Sequence, residues 1–143
     1  MVKINYPAPG FRIKEADGKE WIFDEFRKQW VRLTPEEWVR QNMLQYLVQV
    51  KKYPSSLIAI EKEIALGELR KRFDILVYKD SQPWMIIECK EMNVPLDDLV
   101  MKQVLNYNIT VQADFVLITN GTDNYGFSLQ NGVAEQLSEL PDY

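Results

Sequence analysis

Two apolar runs around a polar break dominate the middle of the chain: Phe73-Asp74-Ile75-Leu76-Val77-Tyr78, then Lys79-Asp80-Ser81-Gln82-Pro83, then Trp84-Met85-Ile86-Ile87-Glu88-Cys89-Lys90-Glu91. Their β-branched and aromatic content predicts two strands joined as a hairpin. Upstream, Thr34-Pro35-Glu36-Glu37 reads as a helix start, with Thr34 as N-cap, Pro35 at the first position and Glu37 placed to complete a capping box. Apolar residues at Trp38, Val39, Met43, Leu44, Leu47 and Val48 then give the helix a broad buried face to about residue 50, before Pro54 stops it. Residues 57–64 predict the first core strand, with Gly67 opening the turn to the next. After the hairpin, Pro95 and Asp97 mark a turn and cap for a helix over about 96–107, and residues 113–119 read as a buried strand ended by Asn120-Gly121. A strand, helix, strand order of this length implies a right-handed crossover, so that last strand should run parallel to the one carrying Glu88.

The ends of the chain read differently. Residues 1–10 contain Pro7, Pro9 and Gly10 and predict an extended segment. Residues 11–15 and 19–23 flank Asp17-Gly18, a hairpin signal, and Trp30 and Val31 then lead into the helix. Phe11, Ile13, Trp21 and Phe23 are expected to cover one edge of the domain, core packing being favoured over an aromatic surface for bases. Residues 125–129 and 133–137 predict a C-terminal hairpin turning at Gln130-Asn131-Gly132.

Composition narrows the chemistry. With 143 residues, 46% of them apolar, the chain is read as one domain with enough bulk for a core. No run of eighteen apolar residues and no basic-then-apolar leader occurs, so neither a membrane span nor a signal peptide is expected, and the cytoplasm is the expected compartment. One cysteine and no histidine exclude an internal disulfide, ordinary zinc sites and a Ser-His-Asp triad. Carboxylates, lysine, tyrosine and a hard metal remain. A net charge of −4 and a pI near 4.9 argue against a strong autonomous nucleic-acid binder, although basic residues gather at Arg27-Lys28, Lys51-Lys52 and Arg70-Lys71-Arg72.

The charges inside the central hairpin are the candidate chemistry. Side chains alternate across a strand, so Glu88 and Lys90 share a face, and a hairpin in register sets Asp74 beside Glu88. Two carboxylates about 4 Å apart repel by roughly 4 kcal/mol at an intermediate dielectric. They favour a shared proton or a divalent cation such as Mg2+, which takes oxygen ligands. The competing reading is an ion pair of Asp74 with Lys90 or Arg72.

Asp74, thirteen intervening residues and Glu88-Cys89-Lys90 resemble the PD-(D/E)xK nuclease superfamily, whose site is an Asp and a Glu-x-Lys on adjacent strands. The wider text, Lys71-Arg72-Phe73-Asp74-Ile75-Leu76-Val77-Tyr78 with Ile87-Glu88-Cys89-Lys90, is similar to the N-terminal endonuclease domain of type I restriction enzyme R subunits. Phe73 stands where the superfamily name has Pro. The resemblance implies an α/β class, strictly an α+β mixed sheet, with a restriction-endonuclease-like αβββαβ core over 34–120, an extension and hairpin over 1–33 and a C-terminal hairpin and tail over 121–143. It implies Mg2+- or Mn2+-dependent hydrolysis of DNA, with Asp74, Glu88 and Lys90 catalytic and the metal on Asp74, Glu88 and the backbone carbonyl of Cys89. Lys90 would orient or deprotonate the attacking water.

The same resemblance nominates Glu37, or its neighbour Glu36, as an accessory acid, although capping alone explains Glu37. Glu63, or Glu61, is a second candidate, set against an edge strand with alternating charge. Gln103 and Tyr107, four apart on one helical face, resemble an extra motif of the RecB-like branch, against packing at a helix end. Arg40, Lys71, Arg72, Gln103 and Tyr107 are the expected nucleic-acid contacts. No phosphate-binding loop of the Gly-x-x-x-x-Gly-Lys-Ser/Thr kind occurs, so the ATP-driven motor of such enzymes is not expected here. Implied partners are DNA and restriction or repair subunits, with a homodimer as one arrangement for two-strand cleavage. The alternative is a non-catalytic module using this fold to bind nucleic acid or protein.

Overall fold

The Thr34 hydroxyl accepts a hydrogen bond from the Glu37 amide at 3.1 Å, and Pro35 sits in the first turn, so the helix α1 (Pro35–Gln49) begins where its capping residues predict. The computed structural model describes residues 1–109 and 111–143, with the side chains of all of these except Leu66, Tyr107, Asn108 and Ile109. After α1 come β4 (Ile58–Leu66), β5 (Leu69–Lys79), β6 (Gln82–Cys89), α2 (Asp98–Ile109) and β7 (Phe115–Thr119), which is the αβββαβ order. Asp97 caps α2 through its carboxylate, which accepts from the Val100 amide at 2.9 Å. β8 (Asn124–Ser128) and β9 (Glu135–Leu137) form the C-terminal hairpin.

These strands make one six-stranded mixed sheet in the order β4-β5-β6-β7-β8-β9. β6 and β7 are parallel, as the crossover through α2 requires, and the other neighbours are antiparallel. The β5–β6 turn is tighter than its polar sequence suggests: only Asp80 and Ser81 lie between the strands, both at positive φ, the geometry that matches strand twist in a two-residue hairpin. α1 buries Val39, Met43, Leu44 and Leu47 against Ile75, Val77, Met85, Ile87 and Leu117. On the other face Val100, Met101, Val104 and Leu105 of α2 pack with Leu76, Ile86, Val116 and Ile118. Covered on both faces, the central strands need continuous apolar runs, which is why residues 75–77 and 84–87 read as they do.

Two irregularities interrupt this sheet near its acidic residues. Glu61 has φ 51°, a left-handed conformation that breaks alternation in β4. Ile60 packs on the α1 side and Ile64 on the α2 side, and Ile75 and Phe73 of β5 divide the same way. The sheet also forks: pairing of β5 with β6 runs only to Ile75↔Ile87, while β5 stays paired with β4 as far as Leu66↔Leu69.

The N-terminal region is a second, three-stranded sheet rather than a hairpin: β1 (Ile13–Ala16), β2 (Lys19–Asp24) and β3 (Gln29–Arg32) in that order. The stretch around Trp30 and Val31, expected to lead into α1, is its third strand. The buried face is also the reverse of the expected one. Ile22 and Asp24 are wholly buried, Trp21, Phe23 and Phe11 are half-buried, and Ile13 is exposed. Asp24 explains the inversion, because its carboxylate bonds to Gln41 on α1 and turns the even-numbered positions of β2 toward the helix.

Candidate active site

Asp74 and Glu88 meet where the sheet forks. Extending the register by one step past Ile75↔Ile87 sets the two opposite each other on antiparallel neighbours. The Cys89 amide donates to Asp74 Oδ2 at 2.8 Å and so fixes that carboxylate across the gap. Asp74 Oδ1 accepts from Arg40 Nη2 at 2.9 Å. A carboxylate offers about four lone-pair directions, and Glu88 and Glu36 draw on those that these two donors leave.

Glu88 is differently placed. It is buried, and its Oε1 has no hydrogen-bond partner. Burial and then the negative charge and hydrogen bond of Asp74 raise its pKa from the ordinary 4.5 to about 8, against the pull of Lys71 and Lys90. Glu36 also lies by Asp74, and burial followed by that charge raises its pKa too, while Arg40 and Lys90 oppose the shift. Lys90 therefore sits within the electrostatic reach of both Glu88 and Glu36, at the end of β6, where its amide bonds to the Thr119 carbonyl at 2.8 Å. The Cys89 thiol is buried in the α1-side core and kept protonated by burial and by Asp74, so this residue can serve a metal only through its backbone.

A layer of paired charges holds Asp74 from behind. Arg40 is buried and donates to Glu37 Oε1 at 2.7 Å through Nη1, and Glu37 also accepts from Arg27 at 2.9 Å and Gln41 at 3.2 Å. Glu37 is thus the anchor of a guanidinium pair, a role its capping position does not suggest, and its carboxylate turns into this network. Asp24 lies deeper and accepts from the Phe26 and Arg27 amides, Arg27 Nε and Gln41 Nε2 at 2.6–2.9 Å. Burial would raise the Asp24 pKa, but those bonds and the Arg27 charge hold it below the usual carboxylate range.

Several expected contributors stand elsewhere. Glu63 is out on the β4–β5 arm, paired with Arg70 at 3.2 Å, so it is not an accessory acid of this cluster. Glu61 meets the charged layer instead, within 3.3 Å of Arg27 and 3.5 Å of Arg40, at a left-handed φ that turns the strand there. Arg40 is no surface contact for a phosphate, since Glu37 and Asp74 take its guanidinium and only 6% of its side chain is exposed. Lys71 is half-buried and acts on Glu88, Arg72 is exposed opposite Glu63, and Gln103 is exposed on α2. The Tyr107 side chain lies outside the described residues. Sequence reading missed Asp24, saw Arg27 only as part of a basic pair, and left Gln41, next to Arg40, between the site and solvent; the signal for Gln41 was its place on α1 four residues from Glu37.

Among the described residues, no three or more Asp, Glu, Cys or His side chains are arranged to hold a metal by themselves. A carboxylate pair with one unpartnered buried oxygen nonetheless suits a cation that keeps several waters and needs one or two acidic ligands. Mixed sheet, flanking helices and a fork that gathers Asp, Glu and Lys define an α+β protein of the restriction-endonuclease-like class. The sequence profile of the type I restriction enzyme R protein N terminus matches residues 35–141, and the chain belongs to that family. A search of curated proteins gave no match. Among the described residues no helix is long and apolar enough to cross a membrane.

Proposed function

We propose that this chain is a metal-dependent nuclease that hydrolyses DNA phosphodiester bonds in the cytoplasm, and that it works with restriction or repair subunits or as a homodimer. The observation that carries the reading is the buried Glu88 oxygen without a partner, directly beside Asp74. Such an oxygen costs about 1–3 kcal/mol unless something binds it. Asp74, Glu88 and the backbone carbonyl of Cys89 would hold the ion. When bound, Mg2+ or Mn2+ supplies a Lewis acid for the phosphoryl oxygens and makes a water acidic enough to attack.

The remaining work falls to the chain. The Cys89 amide and Arg40 hold the Asp74 carboxylate in place. Glu88 would give up its proton to solvent in order to hold the ion. Lys90 positions the attacking water and faces the charge that grows on the phosphate; beside Glu88 and Glu36, an ammonium suits this role better than that of a base. Lys71 extends the positive side of the cleft.

Purified protein should nick plasmid and cut single-stranded DNA with Mg2+ or Mn2+ and stop in EDTA. Asp74→Ala and Lys90→Ala should each lose at least about a hundredfold in rate, the scale of one preorganised charge. Unchanged cutting in both variants rejects the assignment. The net charge of −4 favours a second reading, a binding module without catalysis. Calorimetry separates them: the nuclease takes up Mn2+ saturably and Glu88→Ala abolishes this, whereas the module shows no such uptake.

A further inference from the structure

We infer that the outer face of the β1–β3 sheet is a docking platform for single-stranded nucleic acid. Register sorts its side chains by type. Lys14, Trp21 and Arg32 form one cross-strand row, and Phe23 pairs with Trp30 in the next, where the Phe23 amide bonds to the Arg12 carbonyl. Each ring carries a cation: the Arg12 guanidinium lies 4.0 Å from the Phe23 centroid, the Lys14 ammonium 4.4 Å from that of Trp30, and the Arg32 guanidinium 5.7 Å from that of Trp21. Phe23 and Trp30 meet edge to face at 5.4 Å. The opposite face holds the acids Glu15, Glu20 and Asp24, with Glu15 directly across from Glu20.

In a chain of net charge −4, this separation is a local design rather than a reflection of composition. Three rings and three cations on one open sheet complement a ligand that alternates flat bases with phosphates, and only a single strand offers its base faces for stacking. As bases take the rings, the cations move off them to the phosphates. Arg12 and Lys28 also approach Glu25 at 3.6 and 3.8 Å, but these are exposed pairs that contribute little and yield readily to a phosphate. A cleft of about 580 Å3, lined in part by Phe11, Arg12 and Phe23, opens beside the face and gives a base somewhere to enter. The strands lie before residue 35, outside the part of the chain that matches the family, so the inference stands apart from the nuclease reading.

The test is anisotropy of a short fluorescein-labelled oligo(dT) titrated with the full chain in EDTA, where no cutting occurs. Saturable binding at low salt is expected, with Phe23→Ala and Trp30→Ala each weakening it roughly tenfold or more. Lys14→Glu, at an exposed position that does not bear on folding, should weaken it too and reduce the log–log salt slope by about 0.7 or more. Absence of binding, equal binding of a duplex, or binding unchanged by Lys14→Glu overturns the inference. So does a concentration-dependent dimer in sedimentation that Trp30→Ala dissociates, since a second copy then covers the face.

Discussion

Asp24 and Glu88 are both buried acids, and the protein treats them in opposite ways. Asp24 has four hydrogen-bond donors and a depressed pKa; Glu88 has an oxygen with no donor and a pKa raised to about 8. The first is saturated by its own chain and ties β2 to α1 and the turn before β3. The second is left for something else to satisfy. A saturated carboxylate builds structure, and an unsatisfied one marks the place where a ligand completes it.

The largest test of this contrast is Asp24→Ala, which takes from Arg27 its shortest ion pair and from Gln41 its shorter acceptor, and leaves the Phe26 and Arg27 amides without theirs. Breaking a buried pair from one side costs about 3–5 kcal/mol, to be read from urea unfolding. Glu88→Gln should cost little at pH 5, where the native side chain is neutral, and should stabilise the metal-free protein at pH 9. The pH profile sharpens the same point. The folded protein keeps the Glu88 proton where the unfolded chain has lost it, so stability falls as pH rises from about 4.5 to about 8 and levels off above. Asp24 has the reverse sign: its contribution is complete above its ordinary value of 3.8 and is lost as pH falls through the lower, folded one. Thermal unfolding across this range should therefore show both limbs, with Glu88→Gln flattening the upper one alone. The smallest effect belongs to Glu63→Gln, which loses only an exposed pair with Arg70 and should change stability by less than about 1 kcal/mol.

Much of the architecture was legible because local chemistry and tertiary role agreed. Thr34-Pro35 fixed the start of α1, and the length of the crossover through α2 fixed β7 parallel to β6. The sequence set Asp74 beside Glu88 on the assumption of a regular hairpin, and a bulge delivers that pairing: Tyr78 pairs with Pro83 but Val77 with Met85, and without this one-residue shift Ile87 would face Asp74. β3 was not legible: it has four residues, with Lys28 at positive φ before it, and no apolar run long enough to announce a strand. The inward face of β2 was misread because alternation defines two faces without saying which is buried. Trp21 and Phe23 look like core, yet the side with Asp24 turns inward. Glu63 was preferred to Glu61 for want of a backbone detail, since one left-handed residue at Glu61 ends the period-two rule that grouped the two. Glu37 and Arg40 lie three apart on α1, but Arg27 reaches them from the β2–β3 turn, and no spacing along the chain encodes that meeting.

The fork between β5 and β6 sets the direction of approach to the acids. Past Ile75 and Ile87 the strands part like the jaws of a clamp, β4 with β5 forming one and β6 with β7 the other. Gly67 lies at the tip of the first jaw, at positive φ with open space where a Cβ would go. Extra residues spliced in there would lengthen one jaw and change which shapes can slip between the two, while the hinge where the acids sit stays as it is.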